Sequence, residues 1–158
     1  MRCILKLMGE QLEYNLLDTA DAKGINTAVT KVVQASTLPA EYRKAIEKSG
    51  LCQPSRCFDN SWSIVREKVI PGAQYALVLG VRILPLEHAI ICVDGEYYDP
   101  TWEMYLGGVG RDYLVIDQWN CEELLKTAQL SPGTDGGVYP PMLRNLERSP
   151  HFKNLFKD

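Results

Sequence analysis

Three residue types that together carry out nucleophilic acyl transfer occur in the order Cys57, His88 and Asp99. In such a set, the thiolate attacks a carbonyl carbon, the imidazole moves the proton, and the carboxylate fixes the tautomer and orientation of the imidazole. The sequence predicts that Cys57 lies in the first turn of a helix, with Ser55 as the N-cap residue. Because the N-terminus of a helix carries a partial positive charge, this position favours a reactive thiolate.

The spacing of His88 and Asp99 indicates that their side chains share one face of a β-hairpin. Asp94-Gly95 is a strong signal for a two-residue hairpin turn, and such a turn places Asp99 directly opposite Ile90. Residues two apart on a strand point to the same face, so His88 and Asp99 become diagonal neighbours, about 7–8 Å apart at the backbone. A three-residue turn would move Asp99 to the other face and remove the pairing.

Structural rather than catalytic roles are also possible for several of these residues. An Asp before Pro100 is typical of a turn at a strand end, and a histidine in a strand is more often structural than catalytic. Glu87 alternates to the opposite face from His88 and receives no catalytic role. His151 lies among basic residues near the end of the sequence and is interpreted as a solvated surface residue. Structural roles are also expected for three scattered thiols, Cys3, Cys92 and Cys121.

Hydrophobic periodicity predicts helices first, then strands, then a further helix. The predicted helices cover residues 19–36, 39–50 and 57–69, with a later helix that is capped near Asp117 or Asn120 and ends near residue 129. The predicted strands cover residues 74–83, 87–93, 96–99 and 112–116, and residues 131–141 are expected to form a loop before a short last helix. This order favours an α+β fold in which N-terminal helices pack on an antiparallel β-sheet.

The composition is that of a globular protein, and it narrows the classes of partner. The 158 residues are 46% hydrophobic and 23% charged, which fits a single domain over residues 1–158. A net charge of −3 with no basic block argues against nucleic-acid binding, and no apolar run approaches the roughly 20 residues of a membrane span.

The cysteine pattern indicates a reducing compartment. Five scattered cysteines without an export signal predict reduced thiols in the cytoplasm, although the sequence does not exclude a Cys52–Cys57 disulfide. A structural zinc site is disfavoured, because no second close pair of cysteines exists.

Residues 88–102, with the sequence HAIICVDGEYYDPTW, resemble the core signature of the transglutaminase-like superfamily, within the broader papain-like thiol enzymes. That signature is a His-Ala strand, a glycine turn and Asp-Pro-Thr, preceded by a cysteine at a helix N-terminus. The resemblance extends over residues 50–102, about a third of the chain, and is similar to that of small bacterial and phage proteins. Ile90 stands where the family commonly has an aromatic residue.

This resemblance implies a cysteine-dependent hydrolase or acyltransferase, such as a thiol protease, an amidase, a glutamine deamidase or a transglutaminase. Cys57 would be the nucleophile, His88 the general base and acid, and Asp99 the residue that orients His88. The backbone N–H of Cys57 and the side chain of Gln53 would stabilise the oxyanion. The substrate would be a peptide or protein amide, and no metal or organic cofactor is required. The alternatives are a catalytically silent fold that binds a peptide or protein, and a chance match of short motifs.

Overall fold

The computed structural model describes residues 16–158, and its first helix, α1, covers residues 16–22. The other helices are α2 (Ala40–Ser49), α3 (Cys57–Arg66), α4 (Pro100–Leu106), α5 (Cys121–Leu130) and α6 (Leu143–Arg148), with 3-10 turns at Thr27–Val29 and Pro150–Leu155. The strands are β1 (Lys31–Val33), β2 (Ala35–Ser36), β3 (Gln74–Val81), β4 (Pro85–Val93), β5 (Glu96–Tyr98) and β6 (Asp112–Trp119).

The strands form one sheet in the order β1-β6-β3-β4-β5-β2. Neighbouring strands run antiparallel, except that β2 pairs with β5 in parallel. The predicted α+β class is therefore confirmed, and the expectation of a purely antiparallel sheet is wrong. The parallel pair involves β2, which was not predicted because its two residues fall within the helix predicted over residues 19–36.

The sheet buries side chains on both faces. On one face, alternate residues of the three central strands pack against helices α2, α3, α5 and α6 in the larger core. On the other face, the remaining alternate residues form a smaller core with Trp102 of α4 and Tyr113 of β6. Because successive strand residues point to opposite faces, His88 lies on the face of the smaller core.

The predicted β4–β5 hairpin is confirmed, including its turn. Val93 is paired with Glu96, and the intervening Asp94 and Gly95 have φ values of 51° and 82°. Two successive positive φ angles are the geometry of the two-residue turn that Asp-Gly favours. The register predicted for His88 and Asp99 therefore holds.

The helix predicted over residues 19–36 is wrong beyond α1. Gly24 follows α1 with a φ of +77°, and the chain then forms a 3-10 turn and the short strands β1 and β2. Val33, which fitted a helical period, is paired with Tyr113 of β6, and its neighbour Val32 is paired with Leu114. β-Branched residues are well suited to a strand, and pairing with β6 gives these two valines their strand conformation.

The remaining elements follow the prediction, with shifted ends. Helix α3 ends at Arg66 rather than near residue 69, and β6 continues to Trp119 rather than residue 116. Asn120 caps α5 through a capping box with Glu123, as one of the two predicted caps. Residues 131–141 contain no helix or strand. Helix α4 was not predicted, although Asp99-Pro100 at its start and Gly107 at its end are helix boundary signals.

Candidate active site

Cys57 is the first residue of helix α3, and its side chain is half-buried. The predicted cap is wrong, because Arg56 occupies the N-cap position and its side chain makes no capping hydrogen bond. Ser55 instead adopts a left-handed conformation, with a φ of 59°, that turns the chain into the helix. Such a conformation is uncommon for a residue other than glycine and costs about 1–3 kcal/mol, and it recurs at functional sites.

The loop before Cys57 is braced by the buried amide of Asn60. The side-chain oxygen of Asn60 accepts the backbone N–H of Gln53 at 2.9 Å, and its amide nitrogen donates to the Gln53 carbonyl at 2.8 Å. The same nitrogen also lies 2.9 Å from the hydroxyl oxygen of Thr101, to which it donates. Asn60 therefore ties the start of α3 to the start of α4, two residues beyond Asp99.

His88 and Asp99 form a direct hydrogen bond in the protein interior. The Nε2 atom of His88 lies 2.8 Å from Oδ2 of Asp99, and the two side chains are 3% and 0% exposed. The other carboxylate oxygen, Oδ1, accepts the backbone N–H of Trp102 and so caps helix α4. The predicted His88–Asp99 contact is thus present, and the cap anchors the carboxylate.

A third donor to Asp99 comes from Tyr113, which sequence reasoning missed. Its hydroxyl donates to Oδ2 of Asp99 at 2.6 Å and accepts the backbone N–H of Gly110, also at 2.6 Å. Burial and the negative charge of Asp99 raise the pKa of the Tyr113 phenol, so the phenol stays protonated as a donor. A tyrosine inside an apolar strand gives no sequence signal for such a role.

The imidazole of His88 stacks on the indole of Trp102. The ring centroids are 3.9 Å apart and the planes are inclined by 16°. The Arg82 guanidinium lies 5.9 Å from the centroid of the Trp102 ring and donates to the carbonyl of Gly108. Gly80 permits this packing, because a Cβ there would lie 3.0 Å from the indole. Trp102 therefore fixes the plane of the imidazole, whose Nε2 already binds Asp99.

The surroundings of His88 favour its cationic form. Burial lowers the pKa of His88, but its hydrogen bond with Asp99, and the interaction of the imidazole with the charges of Asp99 and Cys57, raise it to about 9. Because Nε2 is bound to Asp99, Nδ1 is the ring nitrogen that remains for Cys57. Burial raises the pKa of the Cys52 thiol to about 11. Cys52 and Cys57 are both free thiols, so the disulfide that the sequence left open is not formed.

Cys57 and His88 both line an open cavity of about 270 Å³. Its other walls come from the loop before α3, the start of β4 and one side of α4, namely Pro54, Ser55, Leu86, Glu87, Thr101, Trp102, Tyr105 and Leu106. The cavity thus gives a ligand access to the thiol and the imidazole, whereas Asp99 lies behind them with no exposure.

The other residues singled out in the sequence make no contact with the His88–Asp99 pair, although Glu87 lines the same cavity. Gln53 is exposed and is not among the residues that line the cavity, so its proposed contact with an oxyanion stays a prediction. The Glu87 carboxylate accepts the backbone N–H of Leu143 at 3.1 Å, away from the His88–Asp99 pair. His151 is exposed, and Cys92 is buried in the smaller core. Cys3 lies outside the described residues.

No family model, curated protein or solved structure matches this chain. Within residues 16–158, no group of three or more His, Cys, Asp and Glu side chains is placed to hold a metal ion. None of the helices described for this chain combines the length and the apolar character needed to cross a membrane. The function must therefore be argued from the geometry of the cavity itself.

Proposed function

We propose that this protein is a cysteine-dependent acyl-transfer enzyme of the peptidase, amidase or glutamine-amide type, with Cys57, His88 and Asp99 as its triad. The observation that carries the proposal is the buried His88–Asp99 pair, whose imidazole lines the same cavity as a thiol at the first residue of a helix. A buried carboxylate held by three donors has a single orientation to impose on the imidazole.

In the proposed reaction, the Cys57 thiolate attacks the carbonyl carbon of an amide while His88 is protonated. A C–S bond forms, and the carbonyl oxygen takes the negative charge. The C–N bond then breaks, and the amine leaves with the proton that His88 donates, which leaves a thioester on Cys57. Water or a second amine, deprotonated by His88, attacks the thioester and releases Cys57.

Backbone donors at the start of α3 support stabilisation of the oxyanion. The first N–H groups of a helix have no acceptor within the helix and point outward along its axis. The backbone N–H of Cys57, at the first helical position, is therefore suited to bind the developing oxyanion. Gln53 is retained as a second donor only by the resemblance in sequence, and its exposure means that it would have to move inward.

The fold proposed for this site is of the transglutaminase-like and papain-like type. The chain order of a cysteine at the start of a helix, a strand histidine and an aspartate after the hairpin turn supports this assignment. The free thiols Cys52, Cys57, Cys92 and Cys121 support a reducing compartment such as the cytoplasm.

The proposal can be tested with p-nitrophenyl acetate, which reports acyl transfer without knowledge of the natural substrate. Attack by Cys57 forms a thioester and expels nitrophenolate. We expect a burst of nitrophenolate close to one equivalent and an added acetyl group on the peptide that contains Cys57. Both should disappear in Cys57→Ser, and the burst rate should fall by about 10²-fold or more in His88→Gln, since general-base catalysis contributes that much.

Acetylation of Cys57 no faster than that of Cys121 would contradict the proposal. Cys121 is a suitable internal reference, because it is also half-buried and lies at the first residue of a helix, α5, but its sulfur accepts a hydrogen bond from the Arg66 guanidinium, a cation that cannot act as a general base. That outcome would favour the alternative, a silent fold that binds peptides.

A further inference from the structure

A second cavity, of about 250 Å³, is formed by helix α6 and the loop over residues 131–141. The loop contributes Gly133, Thr134, Asp135 and Tyr139, and the helix contributes Arg144, Asn145 and Arg148. None of these residues lines the cavity beside Cys57. Two guanidinium groups and one carboxylate give the walls of the second cavity a net positive charge.

The loop side of the second cavity is a closed, hydrogen-bonded turn. The backbone N–H of Gly133 donates to the carbonyl of Gly137 at 2.9 Å. The ring of Tyr139 packs on this backbone, since a Cβ at Gly133 would lie 2.7 Å from the ring and a Cβ at Gly137 would lie 2.8 Å from it. Helix α6 holds the turn, because Arg148 donates to the carbonyl of Pro132 at 3.3 Å. The second cavity is therefore preformed, as ligand sites usually are.

Two side chains on the helix side carry donors without acceptors. Asn145 is 4% exposed, and its Oδ1 accepts a hydrogen bond from Arg148 at 2.8 Å, so its amide nitrogen is the donor that remains. Within residues 16–158, that nitrogen has no acceptor, and the guanidinium of Arg144 has none either. A buried donor that no protein group satisfies raises the free energy of the folded state, and an acceptor on a ligand removes that cost.

The chemistry of the donors fits a phosphate group. Arg144 and Arg148 are one turn apart on α6, with Asn145 between them, and the loop adds the hydroxyl of Thr134. Guanidinium groups bind phosphate and carboxylate oxygens through charge-assisted hydrogen bonds. A carboxylate offers two oxygens in one plane, whereas a phosphate group offers three or more, which suits donors that come from both the helix and the loop.

The one carboxylate of the second cavity does not neutralise the arginines. Oδ1 of Asp135 accepts the backbone N–H of Gly137 at 2.8 Å, and Oδ2 accepts the hydroxyl of Tyr139. These hydrogen bonds from Tyr139 and Gly137 hold the pKa of Asp135 below its usual range, so it is charged at neutral pH. Among the described residues, no ion pair joins it to Arg144 or Arg148, whose charges are left for a ligand.

We infer that the second cavity binds a phosphate group, which Arg144, Arg148, Asn145 and Thr134 hold. This site shares no residue with the proposed Cys57 centre and does not depend on the acyl-transfer proposal. The group belongs to a free phosphate ion or to a phosphate ester, and both offer the same oxygens. Tyr139, which is 44% exposed, provides an aromatic surface for the remainder of an ester.

The test is an NMR titration of the isotope-labelled protein with sodium phosphate, with sodium chloride keeping the ionic strength constant. The side-chain amide signal of Asn145 should move and saturate with a Kd of about 1 mM or lower, as a few charge-assisted hydrogen bonds provide. Phenyl phosphate distinguishes the two sources: tighter binding than that of inorganic phosphate assigns the site to an ester, and weaker binding assigns it to the free ion. Cys57→Ser should give the same curves as the wild type.

Arg144→Gln is the most direct variant, because the Arg144 guanidinium makes no hydrogen bond to any part of the chain that the structure describes. Its Kd for phosphate should rise about tenfold or more. Lys48→Gln is the matched control, since it removes one positive charge from an exposed residue of α2 outside the second cavity, and it should leave the Kd unchanged. Asp135→Asn keeps the shape of the side chain and removes the like charge, so the Kd should fall by about two- to fivefold.

Three results would overturn the inference. The first is an equal Kd for the wild type and Arg144→Gln. The second is an Asn145 signal that moves linearly with phosphate concentration and does not saturate. The third is acetate that binds as tightly as phosphate, because two carboxylate oxygens would then be enough.

Discussion

Asp99 is the residue on which the candidate site depends most. Its carboxylate is fully buried and accepts three hydrogen bonds, from His88, Tyr113 and the backbone of Trp102. The buried carboxylate therefore has a donor on each oxygen and a fixed direction. Two of its donors belong to elements that follow it in the chain, so the site is completed only when α4 and β6 have packed.

Tyr113→Phe tests the role of the third donor. Loss of the hydroxyl leaves the backbone N–H of Gly110 without its acceptor and Asp99 Oδ2 with His88 alone, so the unfolding free energy should fall by about 2 kcal/mol. The carboxylate charge then acts more strongly on His88, which should raise the pKa of His88 further. Alkylation of Cys57 should depend on His88 up to the pH at which the imidazole loses its proton. In Tyr113→Phe, this upper pH should therefore be higher than in the wild type.

Tyr75→Phe is the matched control. Tyr75 is equally buried in the sheet and donates to the carbonyl of Pro141 at 2.7 Å, on the face away from His88. It should lose about 1 kcal/mol and, because its hydroxyl does not bind Asp99, leave unchanged the part of the pH profile of Cys57 alkylation that depends on His88, although its phenol is close enough to feel the charge of Cys57. If Tyr113→Phe also leaves the profile unchanged, Tyr113 has a purely structural role.

At the scale of elements, Asp99 joins the β4–β5 hairpin to helix α4. It follows β5 directly and is also the N-cap of α4, so one side chain joins His88 of β4 to the start of the helix. The hairpin was predictable, since Asp94-Gly95 specifies a two-residue turn. The stacking of Trp102 on His88 was not, because it requires α4 to fold back over the smaller core.

Gly110→Ala probes how the loop after α4 supports the site. A Cβ at Gly110 would lie 2.7 Å from the ring of Trp102, 2.9 Å from the carbonyl oxygen of Val81 and 3.0 Å from the hydroxyl oxygen of Tyr113. The strand backbone cannot yield easily, so Trp102 and Tyr113 should shift. We expect a loss of about 1–3 kcal/mol in unfolding free energy and slower alkylation of Cys57.

Gly108→Ala is the control from the same loop. A Cβ at this position meets nothing within 4 Å. Urea denaturation should show a change within about 0.5 kcal/mol, and the alkylation rate should be that of the wild type. Equal effects of the two alanines would mean that the loop, rather than the contact with Trp102 and Tyr113, sets the stability.

At the scale of the whole molecule, the predictions that used local patterns in the sheet were right, and those that required pairing with a distant segment were not. The central strands were recognisable from their apolar runs, and the His88–Asp99 contact followed from the hairpin between two of them. The helix predicted over residues 19–36 was wrong, because β1 takes its conformation from pairing with β6, a partner about 80 residues later. Asn60 was missed for a similar reason, since its acceptor Thr101 belongs to α4.

The stability of the protein should depend on pH through His88. The pKa of His88 is raised to about 9 in the folded protein, above the ordinary value of 6.5. Its contribution to the unfolding free energy is therefore fully present below pH about 6.5 and is lost as the pH rises through about 9. We expect the stability difference between the wild type and His88→Gln to shrink steadily between these pH values in urea titrations.

Because both proteins share every other titrating group, the difference between them reports His88 together with Asp99 and Cys57, the two groups whose charges it faces. Parallel stability curves across this pH range would mean that the imidazole is not held as a cation in the folded protein, and the charge arrangement proposed for the site would be wrong.

The central claim, that Cys57 is activated by His88, is tested most directly by the pH dependence of iodoacetamide alkylation in the wild type and in His88→Gln. We predict that in the wild type Cys57 reacts much faster than Cys52, Cys92 and Cys121 at neutral pH, and that its rate rises less steeply with pH than theirs. Both properties should be lost in His88→Gln. If instead Cys57 reacts at the rate and pH of an ordinary or buried thiol in both proteins, the account of an activated triad is contradicted.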